Sequence, residues 1–573
     1  MRIRAAQLNV RVGDLAGNFE RILHVWDHAE RDGVDVLLLP ELVTTGYPPM
    51  DMLDHPWFAH EVERVHEALR EASSTKSCAL VFGSITLRPS ERPGKPLYNS
   101  AYWVYQGKEV ARVHKQLLPT YDVFDEARYF EPGPASEPIE WRGRRFGVLI
   151  CEDLFENENP WPASDYACSP VENLKGKEIE FVLIPSASPF TLQKRARRVT
   201  IVQRVTQRLE CPLAFANQVG GNTELIFDGG SLVVNDRGES LEEAAPFQEG
   251  WADGVFPALK LVDQTSEFSA KDAPSPNTPS LTPPTQPSPW QEQALQAITL
   301  GIKDYIQKSD LKPSICFGLS GGIDSALIAV LAAHAVAPED VMAIGMPTRY
   351  SSDGSLTDSK QLAERLGIGW KTCSIEQMRD LTGSSIETMI EEPLAEIAQE
   401  NIQSRLRGLT LMALSNHSGA LLLATSNKSE MAVGYSTLYG DMAGSLAPIG
   451  DLYKTQVYEL ARWLNQHGSY PGAIPEAIFT KPPSAELKPD QVDQDSLPDY
   501  SVLDRILERM IEYGEDVSSC VEHGFDEETA SWIFRQLHRT EFKRFQSSPV
   551  LKLQSRTFGL GRRWPLAHRP TTI

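Results

Sequence analysis

Short apolar runs, bounded by polar and turn-forming residues, recur through the first half of the chain. They lie at residues 1–8, 34–39, 79–85, 101–105, 146–150, 181–184, 213–216 and 231–234. Runs of this length with such boundaries are typical of buried strands, and helical patterns separate some of them. The pattern therefore predicts a sheet-rich α/β domain whose sheets are buried.

Strand and helix patterns alternate in the second half. Residues 315–319, 341–346 and 421–424 predict buried strands, and the Ala- and Leu-rich run 326–335 predicts a buried helix. Such alternation predicts a parallel sheet with crossover helices, and ligands of these sheets lie beyond the carboxyl ends of the strands. Polar or charged residues follow each of these strands, which favours a nucleotide cleft there.

Residues 273–289 (APSPNTPSLTPPTQPSP) interrupt the pattern, because they are dense in Pro, Ser and Thr. Proline removes backbone donors and these side chains bury little, so the segment predicts an exposed, extended linker. We therefore predict a first domain at residues 1–262, a linker at 263–290 and a second domain at 291–573. Residues 480–500 form a further long irregular stretch, and such loops are often functional or disordered.

Composition narrows the class of partner. With 573 residues the chain is too long for one core, and its formal charge of −22 argues against nucleic acid or an anionic membrane as the main partner. The seven cysteines show no zinc or C-x-x-C spacing, which predicts reduced thiols in a cytoplasmic protein. The N-terminus lacks the apolar core of a signal peptide, and no apolar run is long enough for a membrane span.

The string SGGIDS at residues 320–325 stands between the predicted strand 315–319 and the helix that follows. Glycines in such a turn let backbone N–H groups approach a ligand, and the helix N-terminus adds partial positive charge, so the site suits a phosphate. Asp324 would repel a bare phosphate and is best used to hold Mg²⁺ against one. A Gly-rich turn opening an ordinary helix is the simpler alternative, which a bare Gly-Gly would favour.

Three reactive side chains follow apolar runs in the first half: Glu41, Lys115 and Cys151. A thiolate attacks an amide carbon well but needs a base, and a carboxylate in an apolar setting can serve as one. A nearby lysine can favour the thiolate and stabilise the oxyanion. Taken singly, such a Cys is usually a core residue and such a Glu a surface charge. Together they predict an amidase.

These three sites resemble the Glu-Lys-Cys triad of the nitrilase superfamily, each in its usual local string. The resemblance implies a four-layer αββα sandwich. Further strings are similar to its glutaminase branch, at residues 115–133 (KQLLPTYDVFDEARYFEPG), 186–190 (SASPF) and 217–221 (NQVGG). By that resemblance Tyr121, Ser188 and Lys194 hold glutamine. Glu126 and Glu152 are possible auxiliary groups, or simply solvated or structural carboxylates.

The loop at residues 320–325 resembles the SGGxDS loop of ATP pyrophosphatases, which adenylate a substrate and release pyrophosphate. Other strings resemble NAD synthetases: MPTRYSSDGS, ENIQSRLRG, ATSNKSE, YGDMAGSLAPIGDLYKTQV, KPPSAEL and EFKRFQSSP. The implied fold of this half is a doubly wound parallel sheet. Joined to the amidase half, the chain resembles the glutamine-dependent NAD synthetases almost end to end, the Pro-rich linker apart.

The resemblance implies a set of binding residues in the second half. Asp324 and Glu430 would hold Mg²⁺, and residues 490–504 would close over the adenylate. Arg405 and Ser484 match positions near the phosphates, and Lys454, Lys543 and Arg544 are cations that could meet them, although scattered Lys and Arg also belong to solvated faces. For ATP the implied residues are Gly318, Leu319, Ser320, Gly321, Gly322, Ile323, Asp324, Ser325, Thr425 and Lys454; for deamido-NAD they are Asn401, Glu430 and Lys543.

The implied reaction is ATP-dependent amidation of deamido-NAD, with ammonia that the first half releases from glutamine. The resemblance also implies a protected passage for ammonia and a homo-oligomer with paired synthetase domains. Two alternatives stay open. The same chemistry could act on nicotinate mononucleotide, or the chain could be a carbon–nitrogen hydrolase whose second half only senses ATP.

Overall fold

The computed structural model describes residues 1–89, 93–156, 166–192, 194–257 and 288–568, so the predicted linker lies almost wholly outside the described residues. The strands of the first half are β1 Arg2–Gln7, β2 Val36–Leu38, β3 Ala79–Leu87, β4 Leu97–Tyr105, β5 Lys108–His114, β6 Ile139–Trp141, β7 Arg144–Val148, β8 Phe181–Ser186, β9 Leu213–Asn217, β10 Val219–Asn222, β11 Leu225–Asp228, β12 Leu232–Val234, β13 Ser240–Glu243 and β14 Gly250–Val255. Its helices are α1 Leu15–Arg31, α2 Pro56–Ala72, α3 Glu126–Tyr129, α4 Glu152–Phe155, α5 Pro170–Leu174 and α6 Lys194–Leu209.

Two six-stranded sheets, in the orders β14-β1-β2-β3-β4-β5 and β13-β12-β9-β8-β7-β6, form the middle of this half. β1, β2 and β3 are parallel, as are β7, β8 and β9, and antiparallel strands extend both sheets. Apolar side chains from the two sheets, such as Val36 and Leu183, share one core. α1 covers the outer face of the first sheet and α6 that of the second. The layers are therefore α, β, β and α.

The second half is built on one parallel sheet in the order β17-β16-β15-β18. Its strands are β15 Ile315–Gly318, β16 Val341–Gly345, β17 Gly369–Thr372 and β18 Leu421–Leu422. Its helices are α7 Trp290–Lys308, α8 Ile323–Ala335, α9 Asp353–Leu366, α10 Glu376–Ile390, α11 Glu396–Ser418, α12 Lys428–Val433, α13 Lys454–His467, α14 Glu476–Thr480, α15 Tyr500–Glu512, α16 Val517–Glu522, α17 Glu527–Arg539 and α18 Glu541–Arg544.

Helices cover both faces of this sheet. α7, α8, α9 and α13 share the large core on one face, and Leu411 of α11 packs on the other against Cys316 and Leu422. The arrangement is a doubly wound α/β sheet. In the described part of the chain, no helix combines the length and the apolar character that crossing a bilayer requires.

The two halves pack directly against each other. Ile226 of β11 and Phe190 join the core of the second half, where they meet α7. Asp304 of α7 accepts hydrogen bonds from the side chain of Asn9 (2.9 Å) and from the backbone N–H of Gly221 (2.6 Å). This interface fixes the position of one half relative to the other.

Candidate active sites

Three elements of the first half bring Glu41, Lys115 and Cys151 together. Glu41 follows β2, Lys115 directly follows β5, and Cys151 lies between β7 and α4. The Lys115 Nζ lies 2.7 Å from Glu41 Oε1, although the two residues are 74 positions apart. All three are buried, with exposed fractions of 0%, 1% and 6% respectively. Lys115 and Glu41 are therefore in contact inside the protein, and the charges of both act on the Cys151 thiol.

A second acid holds the other side of the Lys115 ammonium. Glu126 accepts hydrogen bonds from Lys115 Nζ at 2.8 and 2.9 Å and from the Tyr47 hydroxyl at 2.8 Å. Asn99 donates to Glu41 at 2.7 Å and, more weakly, to Glu126. Burial would lower the pKa of Lys115, but the charges of Glu126 and Glu41 outweigh it and raise the pKa well above its usual value. Lys115 is therefore a permanent cation.

The backbone at Cys151 adopts φ +44° and ψ −95°, an uncommon conformation for a residue other than glycine. Its N–H donates to the carbonyl of Pro185 at 3.0 Å, and the Ser186 hydroxyl donates to Sγ at 3.2 Å. Burial, followed by the negative charge of Glu41, raises the pKa of the thiol. The resting thiol is therefore protonated, and its reaction requires a base.

Asp153 ties this turn to the segment that carries Lys115. Its carboxylate accepts hydrogen bonds from the backbone N–H groups of Gln116 (2.9 Å), Leu117 (2.8 Å) and Ile150 (3.0 Å). The sequence reasoning missed this residue, together with Asn99 and Tyr47. Two of them could have been found in the sequence. Asn99 is a polar residue inside an apolar strand, and Asp153 is an acid that closely follows a buried strand.

The residues predicted to hold glutamine lie among acidic and basic groups, and the charge of Glu152 acts on Lys194. The Tyr121 hydroxyl donates to Glu152 at 2.9 Å, and the buried carboxyl of Glu152 has a raised pKa because burial outweighs the charge of Lys115. Lys194 Nζ lies 5.9 Å from the centre of the Phe124 ring. The Glu152 carboxylate and the Lys194 ammonium complement the α-ammonium and the α-carboxylate of an amino acid.

Ser188 and Lys194 have unusual surroundings. The Ser188 hydroxyl is buried and has no hydrogen-bond partner among the described residues, while its N–H donates to Asn217 at 2.8 Å. Burial, followed by the charge of Arg198, lowers the pKa of Lys194 to about 8. An unsatisfied buried hydroxyl is costly, so Ser188 suits a polar ligand.

In the second half, the turn between β15 and α8 has the shape expected of a phosphate loop. Gly321 adopts φ +82°, and a Cβ there would lie 2.6 Å from the Ser355 carbonyl oxygen, so only glycine fits. The Ser325 hydroxyl accepts from the N–H of Ser320 (3.2 Å) and donates to the carbonyl of Gly322 (3.0 Å). These contacts link the two ends of the loop at the N-terminus of α8.

Asp324 and Glu430 converge on one lysine. Lys454 Nζ lies 2.6 Å from Asp324 Oδ2 and 2.8 Å from Glu430 Oε1, and the Asn427 amide donates to Asp324 at 2.9 Å. Burial would lower the pKa of Lys454, but the charges of the two carboxylates outweigh it and raise the pKa. Across the described residues, no group of three or more His, Cys, Asp and Glu side chains is arranged to hold a metal.

A third acid from the irregular stretch lies beside this cluster. Asp493 is buried and accepts a hydrogen bond from the Tyr500 hydroxyl at 2.9 Å, and the same hydroxyl lies 3.4 Å from Glu430. Lys454 Nζ lies 5.3 Å from the centre of the Tyr500 ring. The sequence reasoning missed both residues, although it singled out the segment that contains them.

Other predicted residues contact the turn that follows α12. Asn401 accepts from the Thr437 hydroxyl at 2.9 Å, and Lys543 donates to the carbonyls of Gly434 (2.7 Å) and Ser436 (2.6 Å), so both flank one turn. The Arg405 guanidinium donates to Leu438 of the same turn.

Thr425 is half-buried just past β18, and the Ser484 hydroxyl accepts from the N–H of Glu486 at 3.1 Å. Arg544 is buried and donates to Glu541 and to the carbonyls of Met431 and Ala432. The Arg544 guanidinium therefore binds groups inside the protein and is not available to contact a phosphate.

Two family models match successive parts of the chain. The model of the carbon-nitrogen hydrolase family matches residues 2–255, and the model of the NAD synthase family matches residues 294–547. The chain is 42% identical over 567 residues to the glutamine-dependent NAD(+) synthetase of Synechocystis sp., covering 99% of this chain and 98% of the relative. It is 40% identical over 575 residues to that of Rhodobacter capsulatus, with the same coverage.

A solved structure agrees over the same length. The glutamine-dependent NAD+ synthetase of Acinetobacter baumannii, in complex with ADP, superimposes with a TM-score of 0.73 at 32% identity, covering 99% of this chain and 98% of the other. These matches confirm the predicted α/β fold of both halves. With this identity over nearly its full length, and with both family profiles matched in order, the chain belongs to the family of glutamine-dependent NAD(+) synthetases.

Proposed function

We propose that this protein converts deamido-NAD to NAD, with ATP as co-substrate and with ammonia that it releases from glutamine. One observation carries the proposal: a single chain holds a buried thiol–acid–lysine constellation and a separate phosphate loop with converging carboxylates. We assign glutamine hydrolysis to residues 1–262 and synthesis to residues 291–573, joined by a linker at 263–290. Ammonia must then pass between the halves.

In the first half, the Cys151 thiol attacks the side-chain amide carbon of glutamine while Glu41 takes its proton. Lys115 stabilises the oxyanion, since its ammonium is fixed by two carboxylates at 2.7 and 2.8 Å. Ammonia leaves with the proton returned by Glu41, and a thioester remains on Cys151. Water, deprotonated by Glu41, then releases glutamate. Glu152 and Lys194 complement the α-ammonium and α-carboxylate of the bound amino acid.

In the second half, a carboxylate oxygen of deamido-NAD attacks the α-phosphorus of ATP, and pyrophosphate leaves. The N–H groups of the loop at residues 320–325 and the N-terminus of α8 offset the phosphate charge. Ammonia then attacks the activated carbonyl carbon and AMP departs. Adenylation is needed because a free carboxylate does not react with ammonia under mild conditions. Asn401 and Lys543 are assigned to deamido-NAD.

The donor set fits Mg²⁺, with Asp324 and Glu430 as its protein ligands. Both carboxylates already converge on one cation, Lys454 Nζ, at 2.6 and 2.8 Å. Mg²⁺ is commonly held by one or two carboxylates together with substrate phosphates and water, so a larger protein cage is not required. When bound, the ion would neutralise charge on the departing pyrophosphate.

The decisive assay follows NAD formation from deamido-NAD and ATP, with glutamine and with ammonium as separate nitrogen sources. We expect product with either source, and glutamate only with glutamine. Nicotinate mononucleotide tested in parallel decides between the two acid substrates. Pyrophosphate release that requires an acid substrate excludes the remaining alternative, a carbon–nitrogen hydrolase whose second half only senses ATP.

The pH dependence of glutamine use tests the role of Lys194. Its pKa is lowered to about 8 by burial, so the ammonium loses its charge as pH rises through that value. We expect kcat/KM for glutamine hydrolysis, followed as glutamate release, to fall above about pH 8, since this ratio reports the free enzyme. Lys194→Arg keeps the charge and should remove this falling limb. A wild-type profile that is flat across this range would contradict the assignment.

We also propose that the protein is a homo-oligomer in which the synthetase halves pair. Large apolar side chains are exposed on α10 and α11, among them Leu381 (70%), Met389 (74%), Ile397 (63%) and Leu409 (63%). Neighbouring exposed apolar residues of this kind mark contact surfaces. The unpaired state of all seven cysteines accords with the cytoplasmic location that we propose.

Leu409→Glu should weaken this assembly, because it places a charge within the contact. We expect a lower molar mass by light scattering than for the wild type at the same concentration. Tyr513→Glu, at an equally exposed position (64%) on α15's C-terminal side, is the matched control and should not change the mass. A wild-type protein that is monomeric at micromolar concentration would overturn the proposal.

A further inference from the structure

A segment near the C-terminal end of the described chain, residues 550–563, runs back from the synthetase half onto the glutaminase half. We call it the tail. Lys552 Nζ lies 2.7 Å from Asp122 Oδ2, and both side chains are buried, with exposed fractions of 2% and 9%. Leu560 packs against the apolar cluster that contains Tyr121. The tail therefore contacts the turn that presents Tyr121 to the glutamine pocket.

Backbone contacts hold the tail in this place. The N–H of Lys552 donates to the carbonyl of Glu224 at 2.8 Å, and the N–H of Leu192 donates to the carbonyl of Leu553 at 2.8 Å. Gly561 lies so close to the turn that a Cβ there would be 2.6 Å from Asp122 Oδ1. The tail therefore both donates backbone hydrogen bonds to the first half and accepts them from it, and these bonds fix its position on that half.

The other side of the tail is fixed to the synthetase half. Asp451 Oδ2 accepts hydrogen bonds from the N–H groups of Leu553 and Gln554, each at 2.7 Å. Asp451 Oδ1 accepts from the buried ammonium of Lys428 at 2.8 Å. Asp451 lies three residues before Lys454, so the tail is anchored to the loop that leads into α13, the helix that begins with the lysine of the carboxylate cluster.

The Lys552–Asp122 pair has more effect on the glutamine pocket than an exposed ion pair would have. Asp122 is the neighbour of Tyr121 and adopts φ +52°, so the turn needs support from outside itself. Removing the Lys552 ammonium takes away the cation that contacts Asp122 directly, so the turn loses the ion pair that supports it. Movement of Asp122 would carry Tyr121 away from Glu152, to which its hydroxyl now donates at 2.9 Å.

We propose that Lys552, although it belongs to the synthetase half, is a positioning residue of the glutamine site. It holds the turn at Tyr121 and Asp122 in the conformation that binds glutamine. The inference rests on the proposed glutaminase function of the first half and goes beyond it, because it makes glutamine recognition depend on a residue from the other half. Synthesis from ammonium does not use this pocket and should not depend on the pair.

The test compares Lys552→Met with Arg563→Met in the full-length protein. Arg563 reaches the same turn through an ion pair with Asp125 at 3.2 Å, but its side chain is 56% exposed, so its loss should change little. We expect Lys552→Met to raise the KM for glutamine about tenfold or more, within the range of coupling between contacting residues. Its kcat and its ammonium-driven rate should stay within about threefold of the wild type. Lys552→Arg should largely retain the wild-type KM.

A double-mutant cycle separates positioning from general stability. Asp122→Asn should also raise the KM, and Lys552→Met/Asp122→Asn should raise it by less than the product of the single effects. The double variant removes both charges of the pair together, so it supplies the measurement if Lys552→Met does not fold.

An unchanged KM in Lys552→Met, strictly multiplicative effects, or an equal loss of ammonium-driven synthesis would overturn the positioning role. A wild-type protein that releases no glutamate from glutamine would instead overturn the proposed function itself.

Discussion

Cys151→Ala is expected to abolish NAD formation from glutamine while leaving formation from ammonium near the wild-type rate. The thiol is the only group in the proposed mechanism that forms a covalent bond to glutamine, so glutamate release should fall by about a thousandfold or more. The alanine removes little volume from a site where the side chain is 6% exposed, and the fold should persist. The measurements are glutamate release and NAD formation with each nitrogen source.

Cys168→Ala is the matched control, because Cys168 is also in the first half but is exposed. It should leave both nitrogen sources equally effective. If a folded Cys151→Ala protein also loses synthesis from ammonium, the proposed division of labour between the halves is wrong.

Asp324→Ala is expected to remove synthesis with either nitrogen source. Asp324 shares Lys454 Nζ with Glu430 and accepts from Asn427, so its loss dismantles the cluster beside the phosphate loop. We expect the ammonium-driven rate to fall by about a hundred- to a thousandfold, as for loss of one preorganised electrostatic group. Cys151 should still react with a glutamine-analogue electrophile, which the mass of the labelled protein would report.

Asp340→Ala controls for loss of a carboxylate elsewhere in the same domain, since Asp340 is exposed in a turn beyond the other end of α8. Its rates should match the wild type. Normal ammonium-dependent turnover in Asp324→Ala would count decisively against the ATP-loop assignment.

Local sequence patterns predicted most of the central strands correctly, because strands and turns have short-range signatures. The runs at residues 79–85 and 181–184 correspond to Ala79–Leu87 and Phe181–Ser186, each found slightly longer. Antiparallel edge strands such as Lys108–His114 were not predicted, because their alternating polar residues dilute the apolar signal. Their position depends on the neighbouring strand, which local sequence does not specify.

In the candidate sites, too, local sequence identified some residues and only the structure identified others. The residue types at Cys151, Lys115 and Glu41 predicted an amidase, and the glycines at 320–325 predicted a phosphate loop. The sequence left undecided whether Glu126 was an auxiliary group of the site or simply a solvated or structural carboxylate; in the structure it lies 2.8 Å from Lys115 Nζ. Asp493 is linked to Glu430 by the Tyr500 hydroxyl, which contacts both carboxylates. No local sequence pattern marked Asp493 as a site residue.

By itself, then, the sequence determined which reactive side chains are available and which strands they follow. These features depend only on residue type and short-range periodicity. Only the tertiary structure decided which buried charges neutralise one another. Lys115 with Glu41, Lys454 with Asp324, and Lys552 with Asp122 are each far apart along the chain. Burial makes such pairings strongly favourable or strongly costly, and nothing in the local sequence on either side specifies the partner.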